Sequence, residues 1–93
     1  MMLTVHKYPV TPGEFTLRMP QQAQLLSVQI QNGKPVLWAL VDPDSRKIDQ
    51  QFVAVGTGMP IATPDRARDL TFVGTFQFTE GIETGLVFHL FRR

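Results

Sequence analysis

The sequence predicts an all-β domain, either a small antiparallel β-sandwich or a rolled barrel. About seven short apolar runs recur along the 93 residues at a spacing near twelve, and most alternate apolar with polar side chains, which is the period of a β-strand. No stretch keeps the period of a helix over a useful length, so we expect at most one short helical turn, near residues 64–68. The length fits a single all-β domain over residues 1–93.

The most specific local signal is the dipeptide Asn32-Gly33 between two apolar runs, which favours a type I′ hairpin turn with positive φ at both residues. A two-residue turn sets the register of the flanking strands, because side chains alternate between the two faces. The pairs expected to face one another on the inward side are Ile30 with Pro35, Val28 with Leu37, and Leu26 with Ala39. On the outward side we expect Gln29 opposite Val36, Ser27 opposite Trp38, and Leu25 opposite Leu40.

The remaining predicted strands span residues 3–7, 14–19, 47–55, 70–78 and 86–91. The first is expected to be an edge strand that ends at Pro9, with His6 and Tyr8 on its outward face. The last strand is the other candidate edge. In 70–78 the alternation predicts an aromatic inner face that includes Phe72, and Gly74 marks a bulge or a close backbone approach.

Composition excludes several functional classes. Nine Lys and Arg against eight Asp and Glu leave a net charge of +1, which supplies no large field for binding a nucleic-acid backbone. The absence of cysteine excludes disulfide and thiolate chemistry. No apolar run reaches about 18 residues and no charged leader opens the chain, so we expect no membrane span, no secretory signal and a cytoplasmic protein.

The residues that most often carry catalysis are sparse and scattered. His6 and His89 have no metal-ligating neighbours at short spacing. His89 stands in an apolar strand, where we interpret it as a core or second-layer residue hydrogen-bonded to backbone. Ser27 and Ser45 lack a nucleophile-elbow setting. We therefore expect a non-enzymatic protein without a metal or cofactor.

Residues 56–69 form the longest irregular segment and the expected binding surface, since a rigid β scaffold usually presents function from such a connection. Its Gly-Thr-Gly start resembles a phosphate-binding loop, but no Gly-Lys-Ser/Thr follows, which favours a tight turn. Thr63 and Pro64 suit the N-cap and first position of a helical turn. The candidate binding residues are Trp38, Gly56, Thr57, Gly58, Arg66 and Arg68, with His6 and Tyr8 as contacts on the edge strand.

Blocks spread over nearly the whole chain carry a resemblance to known proteins. They are HKYP at 6–9, MP at 19–20, LSVQ at 26–29, QNG at 31–33, LWALVD at 37–42, GTG at 56–58, GTFQ at 74–77 and LVFHLF at 86–91. The set resembles a family of small uncharacterised proteins of bacteriophages and prophages. The chain departs from that family at Met59, where family members often carry His, and in a longer loop over 79–85.

The resemblance implies an accessory protein in a bacterial host cell, and two classes of function stay open. The first is a binder and antagonist of a host protein, such as a defence component. The second is an oligomeric binder that sequesters a small nucleotide-like signal, and a minor virion structural protein is a weaker alternative. Protein antagonism predicts an exposed apolar patch or strand edge, whereas ligand capture predicts a pocket between subunits with aromatic and basic residues. In either class we expect a homo-oligomer.

Overall fold

The computed structural model describes residues 2–93, which form seven β-strands and one short helix. The strands are β1 (Thr4–Pro9), β2 (Gly13–Pro20), β3 (Gln24–Gln31), β4 (Lys34–Val41), β5 (Lys47–Gly56), β6 (Thr71–Gln77) and β7 (Val87–Arg92), and the helix is α1 (Pro64–Ala67). The prediction of an all-β fold with one short helical turn is confirmed. Within the described residues, no helix is both long and apolar enough to cross a lipid bilayer.

The strands form two antiparallel sheets. One has three strands in the order β1-β4-β3, and the other has four in the order β2-β5-β7-β6. The sheets do not close into a barrel, because each is hydrogen-bonded only within itself; the fold is therefore a two-layer sandwich.

The core lies between the two sheets and is apolar. No polar or charged side chain among residues 2–93 is buried. Full burial of one large apolar side chain contributes roughly 1.5–3 kcal/mol, so side chains from both sheets hold the layers together. The largest fully buried side chains are Phe52, Met19, Leu37, Leu90, Val41 and Pro20.

The hairpin between β3 and β4 turns at Asn32, with φ 52°, and Gly33, with φ 78°. Both values are positive, which confirms the type I′ turn. The predicted register is confirmed for the pairs that follow the turn most closely. These are Ile30 with Pro35, Gln29 with Val36, Val28 with Leu37, and Ser27 with Trp38.

Farther from the turn, a β-bulge changes the register of β3. Leu25, not Leu26, lies opposite Ala39, and Gln24 lies opposite Leu40. The prediction that Leu26 points inward was wrong, because the bulge inserts one extra residue and reverses the faces beyond it. Leu26 is consequently 46% exposed.

A second bulge lies in β6. Phe72 pairs with Phe91 and Gly74 pairs with Leu90, which leaves Val73 as the extra residue. The prediction that Phe72 belongs to the inner aromatic face was wrong, since the bulge moves it outward and it is 59% exposed. Val73 packs against the core instead.

Gly74 also marks a close approach between the sheets, as its sequence position suggested. A Cβ atom built on Gly74 would lie 2.7 Å from Cγ1 of Val28 on β3. The edges of β3 and β6 therefore run side by side, and only glycine fits at the point of contact.

Two predictions about the edges need correction. β1 is an edge strand as predicted, but β7 lies between β5 and β6 and is interior. His6 and Tyr8 are opposite Ala39 and Leu37, which are fully buried, so both point to the core side of the sheet, not outward. Tyr8 packs against the core, and this burial raises the pKa of its hydroxyl. His6 remains exposed at the margin of the sheet.

Candidate binding surfaces

The segment over residues 56–69 begins with a tight turn. The Met59 N–H donates to the Gly56 carbonyl over 3.1 Å, and Gly58 has φ 87°, a conformation that favours glycine. The Thr57 N–H donates to the Val87 carbonyl, also over 3.1 Å, which ties the turn to the start of β7. The Gly-Thr-Gly sequence thus makes a fixed turn at the end of β5.

The second half of the segment contains α1. The N–H groups of Arg66 and Ala67 both donate to the Thr63 carbonyl over 3.0 Å, so Thr63 occupies the predicted N-cap position. Its hydroxyl makes no capping hydrogen bond. α1 is a single turn with no buried residue.

His89 binds two threonine hydroxyls. Its Nε2 lies 2.7 Å from Oγ1 of Thr57, and its Nδ1 lies 3.0 Å from Oγ1 of Thr75. The prediction that backbone groups partner this ring was wrong, because the register places Thr75 directly opposite and the turn brings Thr57 over the other nitrogen. A neutral imidazole donates one of these bonds and accepts the other. The ring therefore fastens the turn to β6.

An apolar surface surrounds the turn, and we name it the Met59 surface: Met59, Pro60, Leu86 and Phe88. It lies where β5 ends and β7 begins, since Gly56 pairs with Phe88. Met59 is 64% exposed and Leu86 is 51% exposed. Two grooves share Met59 and Phe88 as lining residues, one of about 440 Å³ that continues to Pro60 and one of about 550 Å³ that continues to Leu86. Met59 therefore forms a ridge between two apolar grooves.

A separate groove of about 710 Å³ lies between α1 and the outer face of the four-stranded sheet. Arg66 and Arg93 line it together with Glu14 and Asp69. Nη2 of Arg93 forms an ion pair with Oε1 of Glu14 over 2.5 Å. The groove thus holds two cationic and two anionic side chains. Arg68 does not line it and donates from Nε to the Asp65 carbonyl over 3.1 Å.

Trp38 lies on the opposite side of the molecule. Its cross-strand neighbours are Lys7 and Ser27, on the outer face of the three-stranded sheet. Nζ of Lys7 lies 5.9 Å from the centroid of the indole ring and donates to Oε1 of Gln31 over 2.9 Å. The structure therefore does not bring Trp38 together with Arg66 in one site.

Residues 1–93 match the model of a protein family described as a domain of unknown function, DUF7352. The chain belongs to this family. No curated protein matches the chain, and no solved structure matches it. The match over the whole length confirms the predicted membership of an uncharacterised family.

Within this DUF7352 chain, sequence reasoning identified the turn but missed the apolar residues around it. Gly56, Thr57 and Gly58 form the tight turn at the end of β5, and Arg66 lines a groove under the same segment. Leu86 and Phe88 both fall within the predicted strand over residues 86–91. The sequence feature that indicates exposure is the position of Met59 directly after the turn and outside every predicted strand, where strand packing does not bury its side chain.

Proposed function

We propose that this DUF7352 protein is a non-enzymatic binding protein whose partner is another protein. The observation that supports this most strongly is the Met59 surface, which exposes large apolar side chains on a small domain. Contiguous exposed apolar surface usually marks an interaction site, because leaving it in water costs free energy that a partner recovers. The partner contact is centred on Met59.

The grooves on either side of Met59 support a particular mode of binding. Each is large enough for an apolar side chain, and their walls are mainly apolar. A methionine ridge adapts to partners of different shape, because its side chain is unbranched and flexible. The turn itself is held by Thr57 and His89, which lowers the entropy lost on binding. A partner segment with two apolar side chains spaced to straddle Met59 fits this arrangement.

The resemblance to phage and prophage proteins supplies the cellular setting of the proposal. In that setting the partner is a host protein, such as a defence component, in the cytoplasm of a bacterial cell, and binding blocks its action. A minor virion protein is the weaker alternative, and it predicts that the chain copurifies with phage particles.

Site-directed photo-crosslinking in phage-infected cells tests this function. A photoreactive amino acid replaces Met59 in one variant and Leu26, an exposed apolar residue of β3, in a control variant. We expect one host protein to crosslink at position 59 and not at position 26. That protein, once purified, must bind the parent chain and lose affinity for Met59→Lys. Equal crosslinking at both positions, or none at 59, would contradict the proposal.

The groove under α1 favours a second candidate function, capture of a small phosphorylated ligand such as a nucleotide. Arg66 and Arg93 line this groove together, and guanidinium groups bind phosphate bidentately. A phosphate would compete with Glu14 for Arg93.

Calorimetric titration with linear and cyclic nucleotides tests this second candidate. We expect Arg66→Ala and Arg93→Ala to abolish binding, whereas Arg68→Ala serves as the matched control because Arg68 lies outside the groove. Trp38 fluorescence is expected to stay constant, since Trp38 is on the other sheet. No binding at millimolar nucleotide would exclude this function for the ligands tested.

A further inference from the structure

The four outer strand edges of the two sheets differ in how they are protected. β3 and β6 shield each other, because Val28 packs directly on Gly74. β2 carries Glu14 and Arg18 and ends at Pro20, and charges and proline are the usual means by which an edge avoids pairing. Within the described residues, β1 has a strand neighbour on one side only. Its first half has no charged side chain.

The direction of the backbone groups in β1 follows from two observations. The Val10 N–H donates to the Pro35 carbonyl over 3.2 Å, which extends the ladder with β4 by one residue. Pro9 has no N–H to contribute. In an antiparallel pair, residues whose backbone groups bond to the neighbouring strand alternate with residues whose backbone groups point away from it. The backbone groups of Tyr8, His6 and Thr4 therefore bond to β4. Leu3, Val5 and Lys7 therefore direct their N–H and carbonyl groups to the open edge.

We infer that two copies of this chain pair through β1, antiparallel about a two-fold axis at Val5. The two three-stranded sheets then form one continuous sheet of six strands. Val5 lies opposite Val5 of the second copy, and Leu3 lies opposite Lys7. Each facing pair exchanges two backbone hydrogen bonds, about six in all.

Hydrogen bonding favours the axis at Val5, because it is the register in which Leu3, Val5 and Lys7 pair only with one another. An axis at Lys7 would bring the two lysines opposite each other and set Val5 opposite Pro9, which has no N–H to donate. The axis at Val5 separates the lysines and leaves Pro9 outside the pairing. A second copy is therefore the occupant whose edge complements this one.

The side chains on this edge also favour a second copy. Leu3 and Val5 are 54% and 50% exposed, although they lie on an outer face that continues through half-buried Leu40. Pairing covers Val5 with Val5 and sets Leu3 opposite Lys7 of the second copy. The interface is isologous, so it closes at two copies.

Disulfide trapping tests the register directly, because the chain contains no cysteine of its own. Facing residues in a hydrogen-bonded pair have Cα atoms about 5.5 Å apart, within the range that a disulfide spans. We expect Val5→Cys to form a covalent dimer under mild oxidation. Leu3→Cys is the matched control, since the Cα atoms of residue 3 in the two chains would be about 14 Å apart along the strands. Faster crosslinking of Leu3→Cys than of Val5→Cys would overturn the register.

Sedimentation equilibrium tests the dimer itself. We expect the parent to be dimeric at about 100 μM and Val5→Pro to be a folded monomer, because the Val5 N–H is not used by β4. His6→Pro, the control, breaks the ladder with β4 and lowers thermal stability. Leu3→Glu keeps the dimer by facing Lys7, whereas adding Lys7→Glu to it dissociates the dimer. A monomeric parent, or a dimer that survives Val5→Pro, would overturn the inference.

Discussion

The contact between Gly74 and Val28 leads to a quantitative prediction for Gly74→Ala. A Cβ at position 74 would lie 2.7 Å from Cγ1 of Val28 and 3.9 Å from its Cβ. Carbon atoms attract one another at about 3.5–4.0 Å and repel strongly well inside that distance. The backbone of Gly74 does not have a positive φ, so the expected effect is steric and not conformational.

The size of the effect follows from how tightly Val28 is held. Val28 is buried within the core cluster and faces Leu37 on β4. An added methyl group at position 74 therefore overpacks this contact, and overpacking of this kind costs about 1–3 kcal/mol. For a domain of this size we expect Tm to fall by roughly 5–20 °C. Urea unfolding followed by Trp38 fluorescence measures the same loss.

A second substitution shows whether the clash is the cause. Val28→Ala removes Cγ1 and by itself costs about 2 kcal/mol through lost burial and a small cavity. In the double variant the new methyl group occupies part of that space. We expect the double variant to be more stable than the sum of the single effects, by about 1 kcal/mol or more. Additive effects, or an unchanged free energy of unfolding in Gly74→Ala, would refute the reasoning.

Three further changes have defined outcomes. Gly33→Val forces a β-branched residue to φ 78° and should cost at least about 1–2 kcal/mol; unchanged thermal stability would contradict the type I′ turn. Burial raises the pKa of the Tyr8 hydroxyl above 10.0. The stability that the neutral hydroxyl contributes is therefore fully present below pH 10, and it is lost as the pH rises through the pKa of the folded state. Tyrosinate absorbance, unambiguous with one tyrosine, should therefore titrate above pH 10.0, and Tyr8→Phe should tolerate alkali better; a midpoint at or below pH 10.0 would contradict this. Thr57→Val removes a hydrogen bond worth about 1 kcal/mol and should speed hydrogen exchange at the Met59 amide, whereas equal protection in parent and variant would show that His89 does not hold the turn.

The local features of the fold were predictable, because they depend on neighbouring residues. Asn32-Gly33 specifies its turn through the φ values that only a few residues adopt. Gly74 indicated a bulge in β6, but the exact residue, Val73, and the bulge at Leu26 were not predictable, since one extra residue leaves the apolar pattern looking regular. Their positions depend on how the sheets twist and pack against each other. The interior place of β7 likewise depends on pairing between distant segments, which no local pattern encodes.

In the candidate site, too, local features were predictable and features that depend on the tertiary fold were not. The segment over residues 56–69 was predicted because glycine and proline interrupt the strand period there. Its separation from Trp38 could not be predicted, since the segment connects two strands of the four-stranded sheet whereas Trp38 is in the three-stranded sheet. The exposure of Met59 and Leu86 was missed because apolar character alone does not reveal whether the folded chain covers a side chain.

The affinity of the crosslinked partner for three forms of the chain tests the central proposal most directly. Calorimetry of the purified partner with the parent, Met59→Lys and Leu26→Lys compares two exposed apolar residues, Met59 in the segment after β5 and Leu26 in β3. If Met59 is the centre of the contact, Met59→Lys should raise Kd at least about tenfold, as loss of a central interface residue does. Leu26→Lys should leave Kd unchanged. Equal Kd values for the parent and Met59→Lys would contradict the proposal that this surface binds the partner.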